Sequence, residues 1–227
     1  MFECLARCVR SSSGGASFAS TCVPVFLMSL VSPGLAQSLQ PSFNCMQIEA
    51  RDEQAICSDD RLAELDLELD RLYRLAMDGP DMNDARRWAL RKDEIEWLSD
   101  RRACRKVRDD IESCVANAYA LRIHALREDY AGARDDSPSG ISAGPVNYRC
   151  EGHPGVLRAV FFSGKMALVS LVWGARELVL EQFPLTDTAR HEVEIWNNGA
   201  VMFSSEGLAA NLTGPGVQDV RCQKIRD

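Results

Sequence analysis

The sequence predicts an α+β protein in two domains, a small disulfide-stapled helical domain followed by a small antiparallel β-barrel. Three observations predict it. The first half carries apolar stripes at helical spacing, the second half carries short segments that end in Gly or Asn-Gly, and the cysteines beyond residue 36 are even in number.

Residues 1–36 have the pattern of a secretory signal peptide. Arg7 and Arg10 give a positive start, Cys22 to Val31 (CVPVFLMSLV) is a short apolar run, and Gly34-Leu35-Ala36 offers small residues for cleavage. A run of about ten residues falls short of the roughly 20 that a membrane-spanning helix needs. A soluble, exported, periplasmic chain starting at Gln37 is expected, without a stable membrane anchor. Of the nine cysteines, Cys4, Cys8 and Cys22 leave with the signal. Cys45, Cys57, Cys104, Cys114, Cys150 and Cys222 remain, and an even set in an exported chain points to disulfides. No CxxC occurs, and none of the three histidines stands at ligand spacing to a cysteine, so no metal site is expected.

Residues 37–134 form the expected helical domain. After a short segment with Cys45 and Cys57, Leu62, Leu65, Leu69, Leu72, Tyr73 and Ala76 recur at three- and four-residue steps. Ser58, Asp59 and Asp60 supply cap oxygens and negative charge at the start of this helix, and Gly79-Pro80 stops it. A second helix is expected from about Asn83 to Arg105, with Trp88, Ile95, Trp97 and Leu98. A third is expected from about Asp109 to Tyr130, with Ile111, Val115, Ala118, Tyr119 and Leu126 near helical spacing. Short turns make successive helices antiparallel. That hairpin geometry brings Cys57 toward Cys104 and favours a nested pairing, with Cys45 to Cys114 further out, among the three connectivities that four cysteines allow.

Residues 135–146 (DDSPSGISAGPV) are rich in Ser, Gly and Pro and predict a linker. Residues 147–227 predict strands: GVLRAVFFSG, KMALVSLVWG, ARELVLEQF, HEVEIWNNG, AVMFSSEG and LAANLTGPG. Asn198-Gly199 is a two-residue hairpin signal. Many short strands at about ten-residue spacing suggest a barrel or sandwich. Cys150 and Cys222 bracket them, and a bridge between the two would tie the first strand to the last.

The chain holds 26 Lys/Arg against 33 Asp/Glu, a formal net charge of −7. The excess acid lies on the helical half. It disfavours nucleic acid and anionic lipid as partners and would speed encounter with a basic one. No GxSxG, HExxH or phosphate loop is present, so no catalytic group, cofactor or enzymatic activity is expected.

The helical half resembles the N-terminal domain of LprI-type lysozyme inhibitors. The resemblance rests on F-x-C at Phe43–Cys45, E-x-A-I-C-S-D at Glu53–Asp59, L-x-x-L-D-x-x-L-x-x-L-Y at Leu62–Tyr73, W-L-x-x-R-x-x-C at Trp97–Cys104 and C-x-x-x-x-Y-x-x-R-I at Cys114–Ile123. Glu94 stands where that pattern usually has Gln. The second half is similar to the membrane-bound lysozyme inhibitor of C-type lysozyme (MliC) family. Its carriers are Y-x-C at Tyr148–Cys150, the strand VLRAVFF, Trp173-Gly174, Trp196, Gly207 followed by A-x-L ending at Leu212, and Cys222.

The second resemblance implies inhibition by two loops that place a serine and a lysine near the catalytic carboxylates of a lysozyme. The aligned positions here are Asp187-Thr188-Ala189-Arg190-His191 and Glu206-Gly207. A glutamate facing carboxylates repels them. The implied partner-binding residues are therefore Thr186, Asp187, Thr188, Arg190, Ser205 and Glu206, and the implied partner is a lysozyme or another muramidase. An envelope adaptor that keeps both scaffolds without inhibition is the alternative expectation.

Overall fold

The structure, a computed structural model, describes residues 38–183, 193–215 and 217–226. Four helices precede eight strands: α1 Arg51–Ser58, α2 Asp60–Met77, α3 Asp84–Ala103 and α4 Ile111–Asp129, then β1 Ser142–Cys150, β2 Val156–Ser163, β3 Ala167–Trp173, β4 Arg176–Gln182, β5 Val193–Asn197, β6 Met202–Glu206, β7 Ala209–Gly214 and β8 Val217–Lys224. Each long helix starts on an acidic or amide side chain. Asp59 accepts from the Arg61 amide, Asn83 from Arg86 and Asp110 from Ser113. These oxygens satisfy donors that a helix start leaves free.

The strands form one closed antiparallel barrel in which each pairs with the next and β8 returns to β1. At the closing seam, Tyr148 faces Lys224 and Cys150 faces Cys222. The Cys150–Cys222 disulfide therefore crosses the last seam directly and ties the two terminal strands, as their bracketing positions predict. Gly144 sits at a register shift in β1 with φ of 114°, where a Cβ would meet the Ala159 carbonyl oxygen at 2.8 Å. Only glycine fits that bend.

Two cores result. Inward-facing residues of the strands, including Leu157, Ala159, Val169, Leu171, Leu180, Trp196 and Phe203, fill the barrel. On the outer wall, Val160, Phe162 and Leu168 join Leu62, Leu65, Leu69, Tyr119, Ile123 and Leu126 in the core of the helical layer. β3 is thus covered on both faces, which is why its sequence is nearly continuously apolar. α4 is covered on both sides as well, and its buried residues run almost round the helix.

The structure corrects two sequence expectations. First, the pairing in the helical layer is local. Cys45 bonds Cys57 and Cys104 bonds Cys114, with Cα separations of 5.8 and 5.7 Å. The nested pairing assumed that the first two long helices form the closest hairpin, but α2 packs chiefly on α4, and α3 flanks α4. The segment before α2 also turns back as the short helix α1, so Cys57 lies in a last helical turn next to the incoming Cys45.

Second, residues 135–146 are not a free tether. Ser142–Val146 belong to β1, Asp135 pairs with Arg71, and Asp136 pairs with Arg127. Helices and barrel share one core and form a single packed body. On α3, Trp88 and Ile95 are exposed, at 66% and 69%, whereas Trp97 is half-buried and donates from Nε1 to the Ala118 carbonyl.

Candidate functional site

In an up-and-down barrel, alternate connections share an end. The strand ends that lead into the β2–β3, β4–β5 and β6–β7 connections therefore meet at one mouth. Two of the expected site residues, Ser205 and Glu206, fall there. Thr186, Asp187, Thr188 and Arg190 belong to the β4–β5 connection and lie outside the described residues. Ser205 and Glu206 end β6, and the register pairs Val193 with Glu206 and Glu194 with Ser205. The first described residues of β5 thus run beside the Glu206 turn.

Alternation from the buried Phe203 places Ser205 on the interior-facing side of β6 and Glu206 on the outer side. Glu206 is exposed, and Gly207 follows with φ of 58°, the left-handed value that makes the turn. Phe183 and Leu208 at the same mouth are exposed large apolar residues, at 54% and 43%. Sequence reading missed them because a single Phe or Leu at a strand end carries no periodic signal.

A second feature lies between the layers. The N-termini of α2 and α4 and the outer face of β3–β5 enclose a crevice of about 840 Å³. Asp59, Asp60, Asp110, Glu112 and Glu181 line it, with Arg61 the one cation among its described lining residues. Arg61 donates to both Asp59 oxygens, and this holds the Asp59 carboxyl below its ordinary range. The acidic pairs act as caps, as their positions suggest. What the sequence did not show is that two helix starts far apart in the chain face one crevice.

A third feature is a cleft of about 390 Å³ on the helical layer, bounded by Phe43, Tyr73, Glu94, Trp97 and Arg101. Asp66 accepts from the Tyr119 hydroxyl at 2.8 Å, and Arg101 donates to that hydroxyl at 3.0 Å. Burial raises the Glu94 carboxyl and Arg122 opposes it through two hydrogen bonds, at 3.0 and 3.1 Å.

One arrangement imitates a hydrolase triad. His124 Nδ1 lies 2.7 Å from Ser170 Oγ, and Nε2 lies 3.8 Å from Glu128. A nucleophile must meet its substrate. Ser170 is fully buried and His124 is 1% exposed, sealed between α4 and β3. The pair fastens helix to barrel. Burial pushes the imidazole down to about 4, Arg158 adding to the effect and the Ser170 bond opposing it.

Among the described residues, no group of three or more His, Cys, Asp or Glu is placed to hold a metal ion, and no helix is long and apolar enough to cross a membrane. Three disulfides mark an oxidising compartment. The fold and site define a closed eight-stranded barrel bolted to a disulfide-braced helical layer, with a mouth formed by alternate strand connections. Comparison with family models, with curated proteins and with solved structures finds no match.

Proposed function

We propose that this is an exported, periplasmic, non-catalytic protein that binds and inhibits a lysozyme, C-type or a related muramidase, and so protects the cell wall. Export rests on the signal-like residues 1–36 and is in keeping with the disulfides. The observation that carries the reading is the register that sets Glu194 and Val193 beside Ser205 and Glu206. Inhibition by two loops requires the loops to share one rim, and the resemblance assigns the role to these segments. Exposed Phe183 and Leu208 give that rim apolar contact area. The acidic crevice and the net charge of −7 suit a basic partner, whose encounter they accelerate.

A turbidity assay on cell-wall suspensions with the oxidised chain 37–227 tests the reading. Dose-dependent inhibition of a C-type lysozyme, weakened by salt, is the expected result. No inhibition of this or other muramidases by folded protein contradicts it.

One observation favours a second reading, an envelope adaptor that has lost inhibition. Glu206 is exposed at the turn where the resembled family carries lysine. The double change Glu206→Lys with Asp187→Ser separates the two. Inhibition that appears only in the variant supports the adaptor. Inhibition by the parent chain supports the first reading.

A further inference from the structure

The barrel has a second mouth, at the end opposite Glu206, formed by the β1–β2, β3–β4, β5–β6 and β7–β8 connections. An apolar cavity of about 420 Å³ opens there, within the usual range of small-molecule sites. Leu157, Leu171 and Leu212, members of the barrel core, form its floor, and Trp173, Leu178 and Val201 form walls. The opening has a cause in the sequence. After Leu212, the next interior-facing position of β7 is Gly214, which contributes no side chain, and a Cβ there would meet Val201 Cγ2 at 2.9 Å.

The rim is charged. Arg176 is the next interior-facing position of β4 after Leu180 and Leu178, counting outward, and it is exposed. Among the described residues it takes part in no ion pair. Glu177, on the outward-facing alternate position, borders the same cavity. Trp173 and Arg176 also border a neighbouring hollow of about 280 Å³ with His153, Pro154 and Gly155. Trp173 is held between the two, its Nε1 donating to the Pro154 carbonyl at 3.2 Å and its ring edge-on to His153 at 4.9 Å. An apolar hole with a cation at its lip, beside a hollow that shares Trp173 and Arg176, matches an amphiphile whose head is an anion.

We infer that this mouth binds an aliphatic monocarboxylate, the alkyl chain in the leucine-floored cavity and the carboxylate on Arg176. The site is independent of the docking end, so it stands or falls separately from lysozyme binding. Calorimetric titration of the oxidised chain 37–227 with octanoate, decanoate and dodecanoate, each kept monomeric, tests it. Each CH₂ that enters the cavity raises affinity about fourfold, so affinity climbs along the series. Arg176→Gln weakens carboxylate binding about tenfold, as the loss of one charge-assisted hydrogen bond does, and leaves binding of the matching alkanol unchanged. Leu212→Trp fills the floor and abolishes binding of acid and alkanol alike. Val201→Phe, on the half-buried wall, does the same if the first variant does not fold. Absence of saturable binding, equal affinity across the series, or full carboxylate affinity in Arg176→Gln or in the folded filling variant overturns the inference.

Discussion

His124 is a residue whose environment predicts a measurable property. In the unfolded chain it takes a proton near 6.5, and in the folded chain burial defers protonation to about 4. The unfolded state therefore binds more protons between these values. The contribution to stability is complete above about pH 6.5 and is lost as pH falls toward 4, by up to about 3 kcal/mol. Urea unfolding across this range shows the loss in the parent chain. In His124→Gln, which can still bond Ser170, the loss in this window is smaller. Arg127 is the second such residue. It is fully buried and donates to the Gly144 and Asp135 carbonyls and to Ser142, besides pairing with Asp136. Arg127→Ala orphans several of these acceptors and is expected to cost about 3–5 kcal/mol in the same assay. Neither role was legible in the sequence, because His124 and Arg127 meet partners on a distant strand and in a segment that composition marks as linker.

Among the elements, α2, α3, α4 and β2–β7 were legible, since their caps, stops and hairpin signals are local, whereas β1 starts inside the segment that composition marks as linker. α1 was not legible: eight residues give too short a window for periodicity. That omission also misled the disulfide pairing. Non-reducing peptide mapping is expected to recover Cys45 with Cys57 and Cys104 with Cys114, and recovery of Cys57 with Cys104 contradicts the structure. The bridges also differ in span, 12 and 10 residues against 72. Loop-closure entropy then makes Cys150–Cys222 the strongest, by about 1.5 kcal/mol over either local bridge. Replacing each pair with alanine and comparing unfolding midpoints measures that order. Of the candidate site, the sequence offers only the segments that the resemblance aligns. Glu206 and the β4–β5 segment came from aligned motifs, whereas exposed Phe183 and Leu208 follow only from the closed topology.

For the whole molecule, the shared core of helices and the β2–β3 wall makes one cooperative unit. Truncation after residue 137 strips Val160, Phe162 and Leu168 from the core they share with the helices and removes Ser142 from Glu68, to which it donates at 2.5 Å. A helical fragment is expected to unfold or aggregate, while the chain 37–227 melts in one transition; two separated transitions contradict this. Binding sites are therefore best mapped on the intact chain. The most direct test of the docking end is amide hydrogen exchange of the oxidised chain 37–227 with and without a C-type lysozyme. Protection is expected to concentrate in the β4–β5 connection and in the turn from Ser205 to Leu208. Unchanged exchange there, or protection confined to the helical layer, contradicts this.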